Sequence, residues 1–348
     1  MMKRSLSLLL CAAMALSLLA GCGKKDADPA GSVSGSQTSS SSQTPVEQET
    51  IRFKAMSGPT GMGAAKLMKD FSLEAAPADS SFALESEIVA DNSAIKDALI
   101  GGTADIAAVA TNMAAVLSNK TEGAVQVLAV NTLGVLYILE KGDTVHSMAD
   151  LSGKTLYAIG QGANPEYVLN YLLTKNGINP ADVDIQFLTL QEITAKMASG
   201  EEGICMLPVP AATALMMKDQ NVRAAVSLSD AWEELDEGSL PQGCIVARTE
   251  FVEAHPELVE DFLDEYEDSI EFMNDEDNRA EAAALVAEYG IAPNDKVAAK
   301  AIPQASLTFV EGDDMKDMLE AYYTVLFEAN PASIGGSLPY DSFYYGVD

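Results

Sequence analysis

The sequence predicts an α/β protein of two Rossmann-like lobes joined by a double crossover. Three observations carry this. From Ile51 onward, apolar runs of strand length alternate with longer amphipathic segments. One strand–glycine turn–helix unit occurs twice, each time followed by a second matched unit. Two extended apolar stretches stand where the chain has to pass between the repeated halves.

In chain order, Lys3 and Arg4 precede "SLSLLLCAAMALSLLA", an apolar run shorter than a membrane span. It ends in Leu19-Ala20-Gly21-Cys22, which resembles a bacterial lipobox. Residues 1–21 therefore read as a lipoprotein signal peptide, with Cys22 as the lipidated first residue. Residues 22–50, rich in Ser, Gly and Gln and without an aromatic, cannot bury enough apolar surface to fold and read as a tether. A coil of that length reaches roughly 30 Å.

The first lobe is expected over residues 51–135. "IRFKAM" alternates as a strand, "SGPTGMGAAK" turns, and Ala64, Leu67, Met68 and Phe71 fall on one helix face. "VLAVNTLGVLYILEKGD" is long enough to cross to a second lobe, expected over 136–242. There "KTLYAIGQGANPEYVLNYLLTKNG" repeats the plan: a strand ends at Ile159, "GQG" turns, Asn164 caps a helix whose first position is Pro165, and Gly177 ends it. "IGGTADIAAVATNMA" and "ASGEEGICMLPVPAA" form the second matched pair, with Gly102 against Gly200 and Ile106 against Ile204. "PQGCIVARTEF" crosses again, and 243–348 is expected to return to the first lobe.

Composition narrows the function. The net charge of −31 becomes −33 once the leader's Lys3 and Arg4 are gone, and such a surface repels nucleic acid and anionic headgroups. The acid concentrates in Glu253–Glu281, where a solvated helix face is expected. Asp275 and Asp277 start like a calcium loop, but Arg279 takes the place of the next ligand, so no metal site is expected. Cys205 and Cys244 remain for an exported chain. A disulfide between them stays open, with a free buried Cys205 thiol the more ordinary state.

"GPTGMGAAKLM", "TNMAAVLSNKTEG", "NTLGVLYILEKGDTV", "MADLSGKTLYAIGQGANPEYVLNYLL" and "GGSLPYDSFYY" resemble the substrate-binding lipoproteins of ABC importers. The similarity is to the branch related to nitrate, sulfonate, taurine and thiamine-pyrimidine-precursor binding proteins, and it covers essentially all of 51–348. It implies a type II periplasmic binding protein fold, a small-molecule ligand, an ABC permease as partner, no enzymatic activity, and a lipid-anchored monomer at the outer face of a membrane, with a Gram-positive surface favoured. One departure stands out. Leu207-Pro208-Val209-Pro210 carries Val where Leu-Pro-Glu-Pro is expected, which removes a carboxylate from the second lobe.

Neither glycine turn completes a nucleotide motif: Lys66 and Pro165 stand where the last Gly of G-x-G-x-x-G belongs, so no nucleotide cofactor is expected. Each turn instead joins a strand's carboxyl end to a helix start, where backbone N–H groups lack partners. The expected ligand contacts are Ser57, Pro59, Thr60, Gly61, Met62, Thr111, Asn112, Gln161, Gly162, Asn164, Tyr167 and Pro208. Met62, Met113 and Tyr167 would be apolar walls. None of these turns holds Lys or Arg, which points to a monoanion or a neutral heterocycle rather than a dianion. Capping of the helix starts uses the same groups, so for Thr111 and Asn164 both readings stay open. Trp232 is expected partly buried under a loop, with stacking on a ligand as the alternative. An enzyme on this fold, related to thiamine-pyrimidine synthases, would need a histidine and a cysteine-rich motif; the chain has His146 and His255 and no clustered cysteines. A surface sensor or adhesive lipoprotein is the alternative that sequence does not separate from import.

Overall fold

The structure, a computed structural model, describes residues 48–90, 92–200 and 202–347. The signal-peptide, Cys22 and most tether readings lie outside the described residues. The strands are β1 (Glu49–Met56), β2 (Phe82–Val89), β3 (Ile106–Ala110), β4 (Val125–Thr132), β5 (Leu136–Lys141), β6 (Thr155–Ala158), β7 (Asp184–Phe187), β8 (Gly203–Pro208), β9 (Val222–Ser227), β10 (Gly243–Arg248) and β11 (Leu307–Val310). The helices are α1 (Pro59–Met62), α2 (Ala65–Asp70), α3 (Asn92–Ile100), α4 (Thr111–Lys120), α5 (Asn164–Lys175), α6 (Leu190–Ser199), α7 (Ala211–Lys218), α8 (Leu228–Glu233), α9 (Thr249–Ala254), α10 (Pro256–Asn274), α11 (Arg279–Glu288), α12 (Asp295–Ala301) and α13 (Gly312–Ala329).

The strands form two sheets, one per lobe. The first runs β11-β4-β10-β3-β1-β2 and the second β7-β6-β8-β5-β9. Setting β2-β1-β3-β10-β4 beside β7-β6-β8-β5-β9 shows one plan used twice. In each, three parallel strands are followed by an antiparallel strand, β10 or β5, delivered by a chain crossing. The parallel strands are covered on both faces, which is why β3 reads as an unbroken apolar run. β1 also takes in Glu49 and Thr50, assigned from sequence to the tether, because they pair with Phe82 and Ala83.

The helix expected after the first glycine turn is two pieces. Ala64, Leu67, Met68 and Phe71 are all buried as their spacing requires, but α1 and α2 break around Gly63. Ser269 of α10 causes the break. Its hydroxyl donates to Gly63 O (2.6 Å) and accepts from Leu67 N (3.0 Å), bridging the two groups that would otherwise bond each other in a continuous helix. The rest of α10 follows the sequence reading. Leu258, Val259, Phe262, Leu263, Tyr266, Ile270 and Met273 are buried against the first sheet, and the acidic residues between them face solvent.

The other face of the first sheet shares one continuous apolar core with the second lobe. Val109, Val127 and Tyr322 on one side belong to the same cluster as Ile138, Val168 and Trp232 on the other. The crossings run through this seam at 133–135 and 234–242. Gly134 lets the two crossings approach closely there, since a Cβ on it would lie 2.1 Å from Ser229 Oγ and 3.1 Å from Leu240 Cδ2. The crossings are tied to the first lobe by Thr111 Oγ1 donating to Pro241 O (2.7 Å) and Ser306 Oγ donating to Gly134 O (3.0 Å).

Candidate ligand cleft

A cleft of about 480 Å³ opens between the lobes. The first lobe contributes the β1–α1 turn, Ser57-Gly58-Pro59, and the turn after α11, Gly290, Ile291 and Pro293. The second contributes the β8–α7 turn from Pro208 to Ala211, the α7 face of Ala214, Leu215 and Lys218, and Leu190 and Thr194 of α6. The positions 211, 214, 215 and 218 follow helical spacing, so a whole face of α7 forms one wall. The lining is mostly apolar. Among the described residues that line it, Lys218 is the one charged side chain and there is no His, Cys, Asp or Glu. The first turn of α7 belongs to the lining at Ala211 and has no side-chain cap, so its N–H groups and the positive end of its dipole favour a negative or hydrogen-bond-accepting group.

Val209 shows why this turn differs from the expected Leu-Pro-Glu-Pro. It is fully buried, packs with Val135 of the first crossing and Ala301 of α12, and its N–H donates to Val135 O (3.2 Å). A carboxylate there would be buried among apolar neighbours without a partner cation.

Of the residues singled out from sequence, Ser57, Pro59 and Pro208 line this cleft. Thr60 is half-buried beside it, its carbonyl accepting from Asn131 Nδ2 (2.9 Å). Gly61 and Met62 are core positions; a Cβ on Gly61 would meet Met56 O at 2.4 Å, so this glycine serves backbone approach within the lobe. Gln161 and Gly162 are exposed, and Gly162 N donates to Glu166 Oε2 (2.6 Å). Tyr167 donates to Gly162 O (3.1 Å) and lines a different groove of about 510 Å³, between α5 and the end of α13.

Thr111, Asn112 and Asn164 are buried and committed to protein partners. Asn164 is not the cap: the helix begins one residue earlier, at an Ala163 cap, and Asn164 Oδ1 accepts from Tyr322 Oη (2.5 Å). Thr111 bonds to the crossing, its carbonyl accepts from Tyr323 Oη (2.9 Å), and Asn112 Nδ2 donates to Ser333 O (3.2 Å). Trp232 is fully buried at the lobe seam rather than partly under a loop, with ring centroids 5.1 Å from Tyr171 and 5.7 Å from Tyr322. Cys205 and Cys244 are free thiols in different sheets. Burial pushes the Cys205 thiol up to about 12 and raises Cys244 further, so neither is a ready nucleophile.

Sequence reasoning missed Leu190, Thr194, Ala214, Leu215, Lys218 and the 290–293 turn. The apolar i, i+3, i+4 spacing on α7 was visible, but only the tertiary fold turns that face toward the first lobe.

Comparison with known proteins places the chain. The NMT1/THI5-like family profile matches residues 83–280, more than half of the 348 residues. The chain belongs to the NMT1/THI5-like family. Among solved structures, this NMT1/THI5-like protein is similar to an ABC transporter from Parabacteroides distasonis, at 21% identity and TM-score 0.71, over 85% of this chain and 99% of that one. It is similar to the periplasmic aliphatic sulphonate binding protein SsuA from Escherichia coli, at 16% identity and TM-score 0.68, over 85% of this chain and 92% of that one. It is also similar to the periplasmic nitrate-binding protein NrtA from Synechocystis PCC 6803, at 14% identity and TM-score 0.57, over 84% and 85%. No curated protein matches the sequence. At these identities the solved structures establish the shared fold, that of two-lobed periplasmic binding proteins.

Proposed function

We propose that this NMT1/THI5-like protein is the extracytoplasmic solute-binding lipoprotein of an ABC importer. It captures a small organic anion or a neutral heterocycle between its lobes and delivers it to a membrane permease. The observation that carries this reading is the cleft itself, built by turns from both lobes beside two chain crossings. A ligand touching both walls binds the closed arrangement better than the open one, and lobe closure then becomes the signal a permease reads. Cys22 would hold the protein, as a monomer, on the outer face of the membrane of a Gram-positive cell, with the tether giving the lobes reach.

The cleft's chemistry favours a monoanion or neutral ring with apolar flanks. The proline-rich and aliphatic walls suit the flanks, and the first-turn amides of α7 suit a single negative or hydrogen-bond-accepting group, while Lys218, at the other end of that helix, adds positive charge to the lining. With no acid or histidine among the described lining residues, the cleft fits binding without turnover.

The test is thermal unfolding against alkyl sulfonates, taurine, nitrate, hydroxymethylpyrimidine-type heterocycles and simple carboxylates. A ligand at 100 times its Kd adds about 2.7 kcal/mol, a shift of several degrees. Thr194→Trp, which fills the cleft from half-exposed α6, should abolish that shift while leaving the unliganded midpoint within a degree or two. A shift that survives Thr194→Trp unchanged would place the ligand elsewhere.

A further inference from the structure

We infer that Tyr322 is a positioning residue that latches the two lobes across the seam they share. Its hydroxyl and ring form a latch between α13 of the first lobe and α5 and α8 of the second. This deepens the proposed function, because it names what sets the balance between open and closed lobes, and it rests on that reading only in taking the lobes as able to part.

The geometry assigns the role. Tyr322 is fully buried, and its Oη donates to Asn164 Oδ1 at 2.5 Å. Asn164 stands in the first turn of α5, at the end of the second lobe's glycine turn. The Thr111–Pro241 and Ser306–Gly134 bonds reach only the crossings, which remain with both lobes whether they are open or closed. The Tyr322–Asn164 bond spans the seam itself and must break if the lobes part. The neighbouring Tyr323 and the Asn112–Ser333 bond anchor α13 and the segment after it to α4, so Tyr322 is presented from a fixed base in the first lobe.

Trp232 supplies the second, independent observation. Its ring packs on Tyr171 of its own lobe and on Tyr322 of the other, and its buried Nε1–H has no hydrogen-bond partner. An orphaned donor is a penalty borne only while the seam is dry, since parting the lobes lets water satisfy it. The closed seam thus contains a bond that opening loses and a donor that opening relieves. Opposed contributions of this kind keep two arrangements close in free energy, as a binding protein needs. The polar side chain at the start of α5, which resembles a ligand contact in sequence, is thus occupied by a tyrosine of the same chain.

Trp232 is the single tryptophan of the chain, so its acrylamide quenching reads the seam without any ligand. Loss of one hydrogen bond changes an equilibrium about five-fold. Tyr322→Phe should raise the quenching constant by about that factor, Asn164→Ala should do the same, and the double variant should go no further, because the two residues act through one bond. Cooperative urea unfolding of each variant separates seam opening from misfolding. If Tyr322→Phe does not fold, Asn164→Ala carries the test alone. Quenching equal to wild type in the folded variants, or additive effects in the double variant, overturns the latch. Ligand-induced stabilisation of wild type by the panel above reports separately on the binding function. Open seams in the variants with no stabilising ligand would leave the latch standing and remove the proposed function; stabilisation with unchanged quenching would do the reverse.

Discussion

Ser269 is a buried hydroxyl in the middle of an otherwise apolar helix face, and its only outlets are Gly63 O and Leu67 N. Ser269→Ala leaves both backbone groups without a partner in a dry site, so a loss of about 1–3 kcal/mol is expected in urea unfolding. A loss below half a kcal/mol would mean that α1 and α2 rejoin into one helix and bond directly. Asp105 is a second residue-scale case. Its nearly inaccessible carboxylate accepts from Arg52 N (3.0 Å), Arg52 Nε (2.8 Å) and Arg248 Nη2 (3.0 Å). Burial pushes its pKa up, but the hydrogen bonds from the two guanidinium groups and the Arg52 amide outweigh burial and hold it below the usual carboxylate range. A depressed folded pKa means stability that is fully present above the unfolded value of about 3.9 and is lost as pH falls through the folded value. Asp105→Asn should therefore destabilise the protein at pH 7 by about 2–3 kcal/mol, less than for a fully buried pair because Arg52 is partly exposed. It should also flatten the fall of stability below pH 4. Equal slopes in acid for both proteins would remove Asp105 from that titration.

At the scale of elements, the β8–α7 turn joins fold to function. Val209 sits between the first crossing and α12, so Val209→Glu forces a carboxylate into the seam or pushes the lobes apart. Either outcome costs several kcal/mol, and about 3 kcal/mol or more is expected in denaturant titration, with ligand stabilisation lost as well. Tolerance of Glu with ligand binding intact would mean that this turn can swing position 209 away from Val135 and Ala301 and toward water. The same turn shows what was legible in the sequence. The glycine turns at Gly58 and Gly160, the Gly102–Gly200 match and the two apolar crossings led to the repeated strand order, because strand length, turn residues and periodicity are local properties. The cleft was legible only in part. Ser57, Pro59 and Pro208 could be found because they occupy turns after strands. Leu190, Thr194 and Lys218 could not, because which face of α6 or α7 meets the other lobe depends on long-range packing. Thr111 and Asn164 could not be assigned for a chemical reason: a polar group at a helix start looks alike whether its partner is a ligand, a carbonyl of a chain crossing as for Thr111, or a tyrosine brought in 158 residues later as for Asn164. "EAYYTVLF" itself reads as an ordinary helix face, with nothing local to say that Tyr322 reaches across the seam.

For the whole molecule, the two lobes are separate as sheets but not as cores. The cluster containing Val109, Val127 and Tyr322 continues through Leu136 at the start of β5 and Leu240 of the second crossing to Ile138, Val168 and Trp232, so parting the lobes completely exposes apolar surface on both. Each lobe also lends the other a strand's worth of covalent continuity. β5 cannot enter the second sheet without β4 ending in the first, and β10 cannot return without the second lobe in place. Unfolding one lobe alone would strand the buried side of the other, at about 25 cal/mol for each Å² of apolar surface newly wetted. One cooperative unfolding transition is therefore expected, with Trp232 fluorescence and far-UV circular dichroism giving coincident midpoints. Since Trp232 lies at the seam, the comparison is sensitive to the alternative. A fluorescence change preceding the loss of secondary structure, carrying its own denaturant dependence, would show that the seam melts as a separate unit and that the shared core couples the lobes only weakly.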